Sequence, residues 1–131
     1  SKVEYDFKIY SAHKTPEMVD KEIQGEYSVI ITGAGLAAAL PGVVAAKTIR
    51  PVIGVPCQGS YQGLDALLSI VQMPKGVAVG TLAIGAAGAF NAGLMAAQML
   101  ANHDTELAER IEHFRQSQTE TVLDNPDPRE A

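Results

Sequence analysis

The sequence predicts an α/β domain, a parallel sheet with right-handed crossovers and helices on both faces. Three observations predict it. Val29-Ile30-Ile31 and Pro51-Val52-Ile53-Gly54-Val55-Pro56 are short, continuous, largely β-branched runs, as expected of strands buried on both faces of a parallel sheet. Stretches with helical spacing follow them, so strand and helix alternate along the chain. At Gly33-Ala34-Gly35 the chain meets a glycine turn between a strand and a helix start. Open α/β sheets bind their ligands at such carboxyl ends, where a backbone turns sharply and a ligand approaches closely.

In chain order, Val3, Tyr5, Phe7 and Ile9 alternate with Glu4, Asp6, Lys8 and Tyr10, a period-two pattern for a first strand with one wetter face. It leads into Ser11-Ala12-His13-Lys14-Thr15-Pro16. Thr15 suits a helix N-cap, Pro16 the first helical position and Glu17 the first turn, giving a short helix from Pro16 to about Gln24 that Gly25 closes. A strand over Tyr27–Thr32 reaches the glycine turn, and Leu40-Pro41-Gly42 introduces a helix beginning V-V-A-A-K-T. Pro51–Pro56 is the third strand, Cys57–Gly63 a polar loop, and Leu64–Val71 a helix broken by Gln72-Met73-Pro74-Lys75-Gly76. Val77–Ile84 supplies the fourth strand and Gly85–Gly88 a loop. The helix from Ala89 to Ala101 is apolar nearly all round, which predicts burial on all sides, in part against another subunit. Asp104 caps a last helix, about Thr105 to Val122, with Leu107, Ile111, Phe114 and Val122 as its stripe. Residues 1–124 thus form one domain, and the proline-bearing stretch from Asn125 is an extended tail.

A chain of 131 residues suffices for one core, and its 47% hydrophobic content with 5% aromatic residues and no Trp favours close packing of small side chains. The net charge of -5 argues against a general nucleic-acid binder, which needs a basic surplus to neutralise phosphates. A small anionic substrate stays open to it. One cysteine forms no internal disulfide, and no apolar run reaches the roughly 18 residues of a membrane span, so a soluble, cytoplasmic protein is expected. A first residue Ser1, with no turn before the first strand, predicts that the chain starts partway through a larger one.

Gly33-Ala34-Gly35-Leu36-Ala37-Ala38 fits the dinucleotide pattern G-x-G-x-x-G/A, but the next strand ends in Val55-Pro56-Cys57-Gln58, without the acidic residue that holds a ribose. A ligand-facing glycine turn without a dinucleotide fits better. His13 stands at a strand end, where an imidazole that titrates near neutrality can give and take a proton. A capping or hydrogen-bonded surface histidine has the same spacing. Lys14 offers a phosphate a point charge, or is simply solvated. Cys57 follows a strand with no histidine near it in sequence, which suits an inert packed thiol better than a nucleophile. No Cys, His or carboxylate cluster has metal-ligand spacing.

S-A-H-K-T-P at 11–16, G-A-G-L-A-A-A-L-P-G-V-V-A-A-K-T at 33–48, P-V-I-G-V-P at 51–56, G-L-D-A-L-L-S-I-V-Q-M-P-K-G at 63–76, N-A-G-L-M-A-A-Q-M-L at 91–100 and the D-N-P-D-P-R tail together resemble the PurE family. The resemblance runs along essentially the whole chain. It implies a flavodoxin-like three-layer α/β/α subunit in a homo-octamer, and an isomerase of purine biosynthesis. That mutase moves a carboxylate from N5 of N5-carboxyaminoimidazole ribonucleotide (N5-CAIR) to C4, giving 4-carboxyaminoimidazole ribonucleotide (CAIR), with no metal or cofactor. It implies a ribonucleotide substrate and coupling to N5-CAIR synthetase. By position His13 becomes the proton shuttle, Ser11 and Ala12 line the substrate beside Lys14, and Gly33, Ala34, Gly35, Leu36, Leu40 and Pro41 wrap the imidazole and its carboxylate. Gln72-Met73-Pro74 forms a further wall.

Four departures stand out. The family's first strand and its serine- and aspartate-bearing phosphate loop are missing from this chain. Lys14 replaces an arginine, keeping the charge but losing the bidentate fork; Ala39 replaces a histidine, and Leu36 takes a glycine position. The helix after Pro16 is also a few residues short. Lys14 and Ala39 are similar to the CO2-using AIR carboxylase branch, whereas the Gln72-Met73-Pro74 and N-A-G-L-M-A-A-Q blocks are similar to the mutase branch. The mutase is the favoured expectation, with the carboxylase, or a non-catalytic assembly subunit lacking the phosphate loop, as alternatives.

Overall fold

The structure is a computed structural model and describes residues 2–130. Its chain forms two compact units, one of residues 5–96 and one of residues 97–130 with 2–4. The larger unit carries α1 (Pro16–Glu22), β1 (Ile30–Ala34), α2 (Leu40–Ala45), β2 (Val52–Pro56), α3 (Leu64–Val71) and β3 (Gly80–Thr81). The helix α4 (Ala86–Ala101) begins in it. The sheet is parallel in the order β1-β2-β3, with Ile30 opposite Val52, Ala34 opposite Pro56, and Ile53 opposite Gly80. This is the predicted α/β alternation, with α2 and α3 as the connections.

β2 is central, and all five of its residues are buried, as its continuous apolar run requires. Two clusters flank it. Val19 of α1, Val44 of α2 and Val52 of β2 form one, against which Tyr10, Ile23, Ile30 and Leu40 pack. Ala38, Ala66 and Ile70 form the other, with Ala34 and Val79. Gly54 permits the second approach: a Cβ there would lie 2.6 Å from Ile70 Cγ2 and 2.9 Å from Val79 Cγ1.

Several boundaries differ from expectation. The predicted strand over Val3–Tyr10 has no ladder, and Tyr5, Phe7 and Ile9 are 84%, 86% and 92% exposed. An alternating pattern makes a strand only where a neighbour takes its N–H and C=O groups. Here a groove of about 380 Å³, lined by residues 6–10 and by Val29–Gly33 of the β1 edge, occupies that place. β1 starts three residues later than expected and runs through Gly33 and Ala34, because its register follows β2. The fourth predicted strand, Val77–Ile84, shrinks to Gly80–Thr81, paired with Ile53 and Gly54 alone. α2 begins at Leu40, with Pro41 in its first turn, rather than after Gly42.

α3 spans the predicted Leu64–Val71, and α4 begins three residues early, at Ala86. Gly88 is obligatory in it, since a Cβ would fall on the Ala83 carbonyl oxygen. The expected all-round burial of α4 is not met within the chain: Gly88 and Ala92 are buried, while Phe90 is 59% exposed. In the smaller unit, α5 (Thr105–Asp124) is capped as predicted, the Asp104 carboxylate accepting from the Leu107 N–H at 3.0 Å. Leu107 is buried, but Val122 of the expected stripe is exposed. After Asn125 the chain leaves the helix, and the Arg129 guanidinium donates to both Asp127 carboxylate oxygens at 2.6–3.2 Å, holding that carboxyl below its usual range. Among the described residues no helix is long and apolar enough to cross a membrane.

Candidate active site

Two turns leave the first cluster. Tyr10 packs on it and leads directly into the His13 turn; Leu40 packs on it and is reached from the glycine turn. The shared cluster gives both turns one base.

The His13 turn is closed by its own ends. The Ser11 N–H donates to Thr15 Oγ1 at 2.8 Å, and the Thr15 hydroxyl and N–H return bonds to the Ser11 carbonyl at 3.1 and 2.9 Å. The Lys14 N–H donates to Ser11 Oγ at 3.1 Å. Thr15 sits at the predicted N-cap of α1 but makes no side-chain cap bond, because its hydroxyl is committed to Ser11. The crown of this turn is Ala12, His13 and Lys14, with His13 and Lys14 exposed.

The glycine turn starts where β1 ends. Cys57 donates its N–H to the Ala34 carbonyl at 2.9 Å, tying the ends of β1 and β2 together. Gly33 and Gly35 are exposed, and a Cβ at either would come no closer than 3.6 Å to Cys57, so their free side opens outward. Leu36, at a position where the resemblance implies a glycine, has φ 57 and is 62% exposed. A left-handed leucine is strained by roughly 1 kcal/mol or more. The Ala38 N–H, donating to the Leu36 carbonyl at 2.9 Å, holds it there. Leu40 and Pro41 follow as the first residues of α2, with Pro41 buried. Met73 packs on α2 beside them, its Sδ 2.9 Å from where a Gly42 Cβ would stand.

The structure thus places Gly33, Ala34, Gly35 and Leu36 at the end of β1, seats Leu40 on the first cluster and Met73 against α2, and presents Ser11, Ala12, His13 and Lys14 on a turn that follows Tyr10 of the same cluster. Cys57 departs from expectation: its thiol is exposed at the rim rather than packed, because β2 ends at Pro56 and the chain turns out into the loop. That loop holds two further left-handed residues, Tyr61 at φ 55 and Gln62 at φ 59. Among the described residues no group of three His, Cys, Asp or Glu side chains is placed to hold a metal ion.

Sequence reasoning missed a side-chain cluster behind the His13 turn. Glu22, at the end of α1, accepts from Tyr10 Oη at 3.3 Å and from Tyr27 Oη at 2.9 Å, and Tyr27 Oη also lies 2.8 Å from Asp6. Both phenols are held above their ordinary pKa, Tyr10 by burial and then by the Glu22 charge, Tyr27 by its bonds to Asp6 and Glu22. Separations of 12 and 21 residues leave no local signal for it.

Residues 1–121 match the AIR carboxylase family. The chain belongs to that family. Among relatives in it, the N5-carboxyaminoimidazole ribonucleotide mutase of Haemophilus influenzae is 57% identical over 132 residues, 97% of this chain and 80% of that protein. The mutase of Escherichia coli K12 is 54% identical over 134 residues, 98% of this chain and 79% of its own length. The crystal structure of Treponema denticola PurE superposes with a TM-score of 0.82 at 29% identity, covering 94% of this chain and 78% of that one. The AIR carboxylase family therefore accounts for nearly the whole length of the chain and for its fold.

Proposed function

We propose that this protein is an isomerase of purine biosynthesis that converts N5-CAIR to CAIR. The observation that carries the reading is an exposed histidine on a self-closed turn and an open glycine turn, rising from one cluster in a chain 54–57% identical to mutases of that reaction.

The chemistry follows from those two turns. The bond from N5 to the carboxylate carbon breaks, releasing CO2, and the nitrogen takes a proton from His13. C4 of the aminoimidazole attacks the CO2 held beside it, and the C4 proton passes back to His13. Proton and carboxylate are both conserved, so no metal or cofactor is needed. Confinement between the turns supplies the effective concentration that free CO2 lacks. Gly33, Ala34, Gly35 and Leu36 leave backbone open toward the imidazole and its carboxylate, Leu40 and Pro41 supply an apolar wall, and Ser11 and Ala12 flank the base. Lys14 attracts the substrate's negative charge.

The subunit works within a homo-octamer in the cytoplasm. The exposed faces of α3 (Leu64, Leu68, Val71) and of α4 at Phe90 support burial against neighbouring copies. The groove beside β1, with an unpaired extended segment along it, is suited to one further strand, the first strand of the family's sheet. The family resemblance adds coupling to N5-CAIR synthetase, whose product is this substrate. A CO2-using carboxylase, a lyase of the same family, is the second reading, favoured by Lys14 and Ala39.

His13→Asn tests the assignment. It should lower turnover of N5-CAIR by about 10²–10⁴-fold, the usual worth of a positioned general acid–base group, while size-exclusion chromatography shows unchanged assembly. Near-normal turnover by the variant would remove His13 from the chemistry. Appearance of CAIR from aminoimidazole ribonucleotide and bicarbonate, but not from N5-CAIR, would establish the carboxylase reading instead.

A further inference from the structure

We propose that Glu22 is a positioning residue for the His13 turn, closing the chain from Tyr10 to the end of α1 into a ring whose crown carries the imidazole. This rests on the role given to His13 above. Upstream of Tyr10 the chain has no ladder and Tyr5, Phe7 and Ile9 face solvent, so backbone pairing does not hold the incoming side of the turn, and among the described residues there only Asp6 is tied back, through Tyr27. Downstream, α1 anchors the outgoing side through buried Val19. The hydrogen bond from Tyr10 Oη to Glu22 Oε2, across 12 residues, joins the loose side to the anchored one.

The carboxylate is itself held. Tyr27 Oη stands 2.9 Å from Glu22 Oε1, so both Glu22 oxygens are engaged and the side chain is fixed about its terminal torsion. The Tyr10 ring packs with Ile23 on the Val19–Val44–Val52 cluster, which keeps its hydroxyl in reach. Its raised pKa, caused by burial and by the Glu22 charge, keeps that hydroxyl a donor. Tyr27 has one phenol proton for two carboxylates, Asp6 at 2.8 Å and Glu22 at 2.9 Å, and so separates two like charges that otherwise repel. Within the ring, the bonds between Ser11 and Thr15 shape the crown and tie it to the start of α1, where the Thr15 carbonyl accepts from the Met18 and Val19 N–H groups. The Tyr10–Glu22 closure ties its incoming side to the end of the same helix.

The test uses Tyr10→Phe, which keeps the packed ring and removes the donor, beside Glu22→Ala and Glu22→Gln. Amide hydrogen exchange at Lys14 and Thr15, whose N–H groups donate to Ser11, should accelerate about fivefold in Tyr10→Phe and Glu22→Ala, the loss expected for one net side-chain hydrogen bond. kcat should fall by a similar factor with KM changed less than about twofold, because the turn's average position survives while its orientation spreads. Glu22→Gln, which keeps an acceptor, should recover most of both effects. Unchanged exchange in Tyr10→Phe and Glu22→Ala would overturn the proposal, and so would faster exchange with unchanged kcat. The exchange arm needs no substrate, so failure of the His13 assignment, seen as turnover in His13→Asn, is read separately from failure of the ring.

Discussion

Two glycines in the same sheet should respond oppositely to the same methyl group. At Gly54 an added Cβ would stand 2.6 Å from Ile70 Cγ2, 2.9 Å from Val79 Cγ1 and 3.4 Å from Pro41 Cβ, and Ile70 is fully buried. Ile and Val are branched at Cβ and stiff at χ1, so neither swings its γ carbon aside cheaply. Overpacking of this kind costs about 1–3 kcal/mol, and two stiff neighbours place Gly54→Ala at about 2–3 kcal/mol. With an unfolding entropy of about 2.1 cal/mol/K per residue, Tm should fall by about 7–11 °C. At Gly33 the same Cβ would stand 3.6 Å from Cys57 Sγ and 3.9 Å from the Val55 carbonyl oxygen, which is ordinary contact. Gly33→Ala should therefore hold its Tm or gain slightly, since alanine restricts the unfolded chain. It should nevertheless lower kcat/KM by tenfold or more, about 1.4 kcal/mol, because the methyl stands where the substrate approaches. Differential scanning fluorimetry and initial rates on both variants decide it. A Gly54→Ala protein melting within about 2 °C of the parent would refute the packing argument, and a fully active Gly33→Ala would move the substrate away from the glycine turn.

Asp104→Ala removes the carboxylate that accepts from the Leu107 N–H, and should destabilise by about 1 kcal/mol with exchange at that amide accelerated; an unchanged melting curve would show the cap to be dispensable. Asp127 should titrate below the ordinary carboxylate range because Arg129 holds it. A depressed carboxyl pKa contributes order above the ordinary value and loses it as pH falls through the depressed one, so the tail should loosen only in strong acid, and in Arg129→Ala at a higher pH. Carbon-detected NMR titration of Asp127 measures both; identical curves would remove the pair from the account.

Where local rules suffice, the sequence was a sound guide. Leu64–Val71, bounded by Gly63 and the Gln72-Met73-Pro74 break, is a helix over the predicted residues, and Asp104 caps α5 as its position suggested. β2 was legible because a continuous β-branched run between prolines has few other uses. The Val3–Tyr10 pattern misled because alternation states which face is apolar, not whether a neighbouring strand is present to pair with. β3 was overestimated for a related reason, since its extent depends on how far β2 offers partners. Of the candidate site, the His13 turn and the glycine turn were legible as motifs. Their common base on Val19, Val44 and Val52 was not, because it joins positions 33 residues apart. The left-handed Leu36, Tyr61 and Gln62 carry no local signature, being residue types that seldom adopt that conformation.

The ends of the strands have an electrostatic consequence. A parallel strand points its carbonyls sideways, and where the strands part at the carboxyl edge the last of them would be left open, their negative ends opposing an incoming anion. In this sheet those oxygens are already engaged sideways: Ala34 by the Cys57 N–H, Pro56 by the Gly85 N–H and Gly54 by the Leu82 N–H, each at 2.9–3.0 Å. Pro56 ends β2 without an N–H of its own, so no donor is orphaned where the strands part. Each of these carbonyls has one lone pair taken up by an N–H, which lowers the repulsion that an anion would meet at this edge of a chain with a net charge of -5, the edge proposed above for the substrate.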